Sequence, residues 1–137
     1  MGIEVIWDDD THTCIRYNVR GGWTFEDLRT ARQEVHTLIA GRQEKIPIII
    51  DLRGSQLLPE NMFSHFGTRS YDGVDELGFM VFVGSNSLVR GMFASFQRIY
   101  PKRAVNWQFA ANLDEARRLV QERTRLNALL QNAGDSR

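Results

Sequence analysis

Ile46-Pro47-Ile48-Ile49-Ile50-Asp51-Leu52-Arg53-Gly54 is the stretch on which the fold turns. An unbroken β-branched run reads as a strand buried on both faces, the usual state of a central parallel strand. Its apolar run ends at an acidic residue, with a glycine three positions on. In a parallel sheet that is the carboxyl end, where open α/β folds keep their sites. A ligand or partner loop is therefore expected from Asp51 and Arg53 through Ser55 to Glu60 and Asn61. Gly54 to Leu58 reads as loop, and Pro59 suits the first turn of a helix running to about Phe66.

Outward from this strand, the same alternation of elements continues. Upstream, Ile3 to Trp7 is a short strand and Asp8-Asp9-Asp10 a polar turn. Thr13, Ile15, Tyr17 and Val19 then alternate with Cys14, Arg16, Asn18 and Arg20, the period of a strand with one wet face. The short turn makes the pair an antiparallel hairpin, ended by Gly21-Gly22. Thr24 opens a helix with Asp27 three residues on, a variant capping box. Phe25, Leu28, Val35, Leu38 and Ile39 share its apolar face, and Gly41 closes it.

Downstream, Leu77 to Val83 is a second continuously apolar strand ended by Gly84. Ser85 or Asn86 caps a third helix that stops before Pro101, and both belong to the expected ligand or partner loops. Val105, Trp107 and Phe109 alternate with Asn106 and Gln108 in a fifth strand. Asn112 with Glu115 caps a last helix carrying Leu113, Ala116, Leu119 and Val120, extended through Leu126, Leu129 and Leu130. Gly134 to Arg137 reads as a frayed tail. The order β-β-α-β-α-β-α-β-α predicts one α/β domain: a mixed sheet of about five strands with about four helices, an N-terminal antiparallel hairpin followed by βα crossovers.

Composition bounds the function classes. The chain has 137 residues, 42% of them hydrophobic and 25% charged, enough for one ordinary globular domain with its own core. Lys and Arg number 17 against 17 Asp and Glu, so the overall field does not grip nucleic acid or an anionic membrane. Arg98, Lys102 and Arg103 are a candidate local basic patch. Only Lys45 and Lys102 are lysine, a bias that fits genome composition as well as anion recognition. A lone Cys14 permits no intrachain disulfide, and the first ten residues carry no signal-peptide pattern. Gly2 is not followed by the Ser or Thr that myristoylation requires, because position 6 is Ile. A cytoplasmic protein without an integral membrane segment is expected.

Catalytic and metal patterns are sparse. Ser64-His65 with Asp51 holds the ingredients of a triad but no nucleophile elbow, and neighbours on a helix point apart. His12, His36 and His65 have no short metal-ligand spacing. Asp51 and the Asp8-Asp9-Asp10 triplet invite comparison with a response-regulator receiver. Against it, the triplet precedes a strand instead of a helix, and the last strand lacks a terminal lysine. Gly84-Ser85-Asn86 looks like an anion-holding turn without the Walker lysine. The third helix carries two apolar stripes, Leu88, Met92 and Ile99 beside Val89, Phe93 and Tyr100, with Phe96 between. One stripe covers a sheet; Val89, Phe93 and Tyr100 are therefore the candidate interface.

Several local motifs in this order resemble the STAS domain, the fold of the anti-sigma-factor antagonists, and within it the SpoIIAA-like, SEC14-related branch. They are Gly22-Trp23-Thr24 opening the first helix and Ile48-Ile49-Ile50-Asp51-Leu52-Arg53-Gly54 ending the third strand. Val81-Phe82-Val83-Gly84 before a helix and the closing Phe109 to Ala116 segment complete them, spanning nearly the whole chain. The resemblance implies a STAS-like domain over residues 1–125, with 126–137 as a C-terminal helical extension and tail. It implies a non-enzymatic regulatory or protein-interaction module without a cofactor, working through a protein partner or as a homodimer. The alternative is a small-molecule or lipid carrier of the SEC14-related type, taking a small apolar ligand. In antagonists of that family a serine at the start of the second helix is phosphorylated. Pro59-Glu60-Asn61 occupies that place here, so the phosphoserine switch is not expected. Ser55 and Ser64 are the nearby hydroxyls.

Overall fold

The computed structural model describes residues 2–42, 46–55, 79–84, 91, 94, 98 and 107–135. Five strands form one sheet in the order β1 (Ile3–Trp7), β2 (Ile15–Gly21), β3 (Ile48–Ser55), β4 (Met80–Val83) and β5 (Trp107–Ala110). β1 and β2 are antiparallel, with Val5 opposite Tyr17, and every later pair is parallel. Two helices are defined among the described residues: α1 (Phe25–Leu38) and α2 (Leu113–Asp135). The mixed α/β sheet expected from the sequence is thus present, including the N-terminal hairpin. Gly91, Ala94 and Arg98 are also helical and exposed.

The period-two pattern sorts the strands onto two cores. Ile15, Tyr17 and Val19 of β2 join Ile48, Ile50 and Leu52 of β3, Met80 and Phe82 of β4, and Trp107 of β5 beneath α1. Helix α1 adds Leu28, Ala31 and Val35, spaced three and four apart as a helical face requires. Opposite, Ile49, Val81, Val83 and Ala110 pack against Ala116 and Val120 of α2, with Leu113 and Leu119 at the margin. Alternate residues of β3 and β4 thus enter different cores, which is why both strands are continuously apolar in sequence.

The helix ends follow their capping residues. The Thr24 hydroxyl accepts from the Asp27 N–H at 3.1 Å, and the Asp27 carboxylate accepts from the Thr24 N–H at 3.0 Å. Asn112 Oδ1 accepts from the Glu115 N–H at 2.8 Å, and Glu115 accepts from the Ala111 N–H at 3.2 Å. Gly41, just past α1, has φ +87°, a left-handed conformation that a side chain would strain.

Four details depart from the sequence reading. Leu38, expected on the apolar face of α1, is 39% exposed as the last residue of the helix. Thr13 is not in β2; its N–H and hydroxyl both bind the Asp9 carboxylate, which builds the turn. α2 continues through Gly134 to Asp135, a later helix end than the sequence indicates. Most consequential, β3 does not stop at Asp51 but runs on through Gly54 to Ser55. Asn18 pairs with Asp51 whereas Arg20 pairs with Gly54, so β3 carries one extra residue between these pairs, a bulge. A Cβ on Gly54 would lie 3.0 Å from the Val19 carbonyl oxygen, so the missing side chain lets the strands stay paired past the bulge.

Candidate functional site

The bulge sits at the carboxyl end of β3, the place the sequence nominates. Asp51 and Arg53 meet there as a two-pronged pair: Arg53 Nε donates to Asp51 Oδ1 and Arg53 Nη2 to Oδ2, each at 2.9 Å. The Arg53 N–H adds a third bond to Oδ1 at 3.1 Å. Burial pushes the Asp51 carboxyl up. The Arg53 bonds, with the Arg53 and Arg16 charges, outweigh it and hold the group below its ordinary range. The same bond raises Arg53. Both side chains remain charged, as a planar fork on a carboxylate should.

Around this pair opens a cleft of about 260 Å³ lined by Arg16, Asn18, Val19, Arg20, Asp51, Arg53, Gly54 and Leu113. Arg16, Asn18 and Arg20 reach it from alternate positions of β2, the wet face of that strand. Leu113 closes one side from the first turn of α2. Among the described residues the lining offers guanidinium donors for an oxyanion and a single carboxylate, with no histidine, serine or cysteine.

A second polar cluster fixes one wall. Asp8, just past β1, has a side chain only 5% exposed and accepts from Arg16 Nη1 at 2.8 Å. It also accepts from Arg117 of α2, through Nε at 3.0 Å and Nη2 at 3.1 Å. One carboxylate thereby ties the hairpin, the strand and the last helix together. Arg16 is left with its Nε buried and without a hydrogen-bond partner. Asp9 instead serves the turn, accepting from the hydroxyls of Thr11 and Thr13 and from the N–H groups of Thr13 and Cys14. Burial opposes its ionisation, but these four bonds bring it down to about 2. Asp8 is therefore committed to arginines and Asp9 to the turn. Among the described residues no group of three or more His, Cys, Asp or Glu is placed to hold a metal.

Cys14 lies beneath this cluster, 5% exposed. Burial, then the nearby Asp8 and Asp9, push its thiol up to about 12, so it stays protonated and unreactive.

Of the residues nominated from sequence, Asp51 and Arg53 come together in the cleft, and Ser55 closes β3 opposite Gly21. Glu60, Asn61, Ser85, Asn86, Val89, Phe93, Tyr100, Ser64 and His65 lie outside the described residues. So do Lys102 and Arg103, while Arg98 is helical and exposed. Sequence reasoning missed Asp8, Arg16, Arg20 and Arg117 as parts of one site. The signal was present for two of them: Arg16 and Arg20 flank Asn18 at period two on the polar face of a strand beside the nominated one.

No described helix is long and apolar enough to cross a membrane. Compared with known proteins, the chain matches no family model and no curated protein.

Proposed function

We propose that this chain is a STAS-like interaction module that acts by binding another polypeptide, with a second copy of itself as the first partner to test. The family reading is supported by the antiparallel hairpin followed by parallel strands, and by the helix opening at Thr24 beside a strand that carries Asp51 to Gly54 at its carboxyl end. The four-helix count and the absence of a phosphoserine switch belong to the same reading. The action through contacts is carried by one observation. The distal half of α2 presents Leu126, Leu129 and Leu130 at 49%, 60% and 63% exposure, spaced three and four apart on one helix side. Three leucines in water on one side of a helix form the kind of patch that marks contact surfaces.

The carrier alternative calls for an enclosed apolar cavity against the third helix, which lies outside the described residues, whereas the exposed leucines of α2 are on the described surface. The contact reading is therefore preferred. Sedimentation velocity of the full chain over a concentration series tests it. A dimer that dissociates in the double variant L129E/L130E, with circular dichroism unchanged, is the expected result. A wild type that stays monomeric at every concentration removes self-association from the proposal.

A further inference from the structure

The arginine cleft at the carboxyl end of β2 and β3 carries an inference that does not rest on the contact reading. Its lining bears three guanidinium groups, Arg16, Arg20 and Arg53, against the single carboxylate of Asp51. Arg53 spends Nε and Nη2 on Asp51, and Arg16 spends Nη1 on Asp8. The exposed Arg20 side chain lines the cleft and forms no hydrogen bond or ion pair among the described residues.

We propose that this cleft binds a phosphomonoester dianion, with Arg20 as its main ligand and the outer faces of Arg53 and Arg16 completing the cradle. Two lines of argument select this chemistry. The lining carries two positive charges more than negative, which a phosphate at close to two negative charges neutralises and a monocarboxylate does not. Arginine forks match the oxygens of phosphate in pairs, and Asn18 beside them offers a polar wall. The cleft's volume suits a small headgroup and not a polyanion, in line with a chain of zero net charge. Leu113 at the margin leaves room for the carbon chain of the ester to continue outward.

The test is titration of the full-length chain with inorganic phosphate, with glycerol 3-phosphate, and with phosphatidylcholine vesicles containing phosphatidic acid. Calorimetry and the arginine Nε–H nuclear magnetic resonance signals are followed together. Saturable binding that shifts the Arg20 Nε–H signal is expected. Affinity should fall by about tenfold or more in Arg20→Gln, the loss of a charge-assisted pair. The Arg125→Gln variant on distal α2 should bind as wild type. Because Arg20 is exposed, Arg20→Gln should unfold at the wild-type temperature, which separates lost binding from lost fold. Binding of the soluble esters identifies a soluble source, and binding of the vesicles alone identifies a lipid headgroup. Equal affinity for succinate overturns the phosphate assignment. An affinity unchanged in Arg20→Gln, or no saturable binding in any arm, overturns the site.

Discussion

On the α1 side of the sheet, four strands from β2 to β5 contribute apolar side chains, and the core runs unbroken from Val19 to Trp107. On the α2 side, β3, β4 and β5 do the same, but β2 contributes Arg16, Asn18 and Arg20. A helix of 23 residues spans about 34 Å, far more than four-residue strands need. Yet α2 packs on β3, β4 and β5, while near its N-terminus it meets the hairpin through the Arg117–Asp8 pair and the buried Cys14. The difference teaches where stability and specificity are separated in this molecule. Among the described residues one face is closed by hydrophobic burial, and the other is closed over three strands and polar beside them.

The largest effect expected from this contrast is in the closed cores. Trp107→Ala should destabilise by about 3–5 kcal/mol, and Ile49→Ala on the other side by about 2–5 kcal/mol, from lost transfer energy and the cavity left behind. Both residues are at most 1% exposed. Denaturant midpoints would check this, and a negligible shift in Ile49→Ala would mean that α2 does not seal its face.

Next in size is the charged tie between hairpin and helix. Asp8→Ala leaves two guanidinium groups without their carboxylate, and hydrogen bonds to charged groups of this kind contribute about 1.5–3 kcal/mol. If the tie holds α2 to the hairpin, Asp8→Ala and Arg117→Ala should be strongly non-additive in a double-mutant cycle. Additive costs would show that Asp8 acts through Arg16 alone.

These two groups of residues differ in how legible they are in sequence. The cores were readable because burial on two faces leaves a continuous apolar run and burial on one face leaves an alternation. Ile48 to Ile50 and Ile15 to Val19 show the two cases. Local capping was readable too, since Thr24 with Asp27 and Asn112 with Glu115 act within three residues. The Asp8–Arg117 pair joins residues 109 apart in the chain, and no periodicity announces it. The β3 bulge was equally hidden. Leu52-Arg53-Gly54 looks like a strand giving way to a loop, and only pairing with β2 reveals one extra residue and the arginine it turns toward Asp51.

The turn beside the tie should respond to acid. Asp9 titrates at about 2 in the folded chain against an ordinary 3.8. In that window the unfolded chain binds more protons than the folded one, so stability rises with pH through it and is lost as pH falls. Asp51, also lowered, adds to the same slope. Above pH 5 both contributions are complete and stability should be flat with respect to these groups. Asp9→Asn should reduce the acid dependence, measured as denaturant midpoints between neutral pH and pH 2.

The smallest stability effect should come from the end of α2, where the same helix leaves the sheet. Ala116 and Val120 face the α2-side core, with Val120 8% exposed, whereas Leu130 is 63% exposed one stripe further along. An exposed side chain has little apolar area left to bury on folding, so its removal changes little in the monomer; surface substitutions of this kind stay within about 0.5 kcal/mol. Leu130→Ala should therefore leave the unfolding midpoint of dilute protein nearly unchanged, while Val120→Ala lowers it measurably. Concentration then sharpens the comparison. If the distal leucines meet a second copy, wild type should gain stability as concentration rises, because association draws on the folded state, and Leu130→Ala should gain less. A cost well above 0.5 kcal/mol in dilute Leu130→Ala would instead place this stripe against the rest of its own chain. The polar half of the α2 face would then be bounded by a third packed surface, and the contrast between the two faces would narrow.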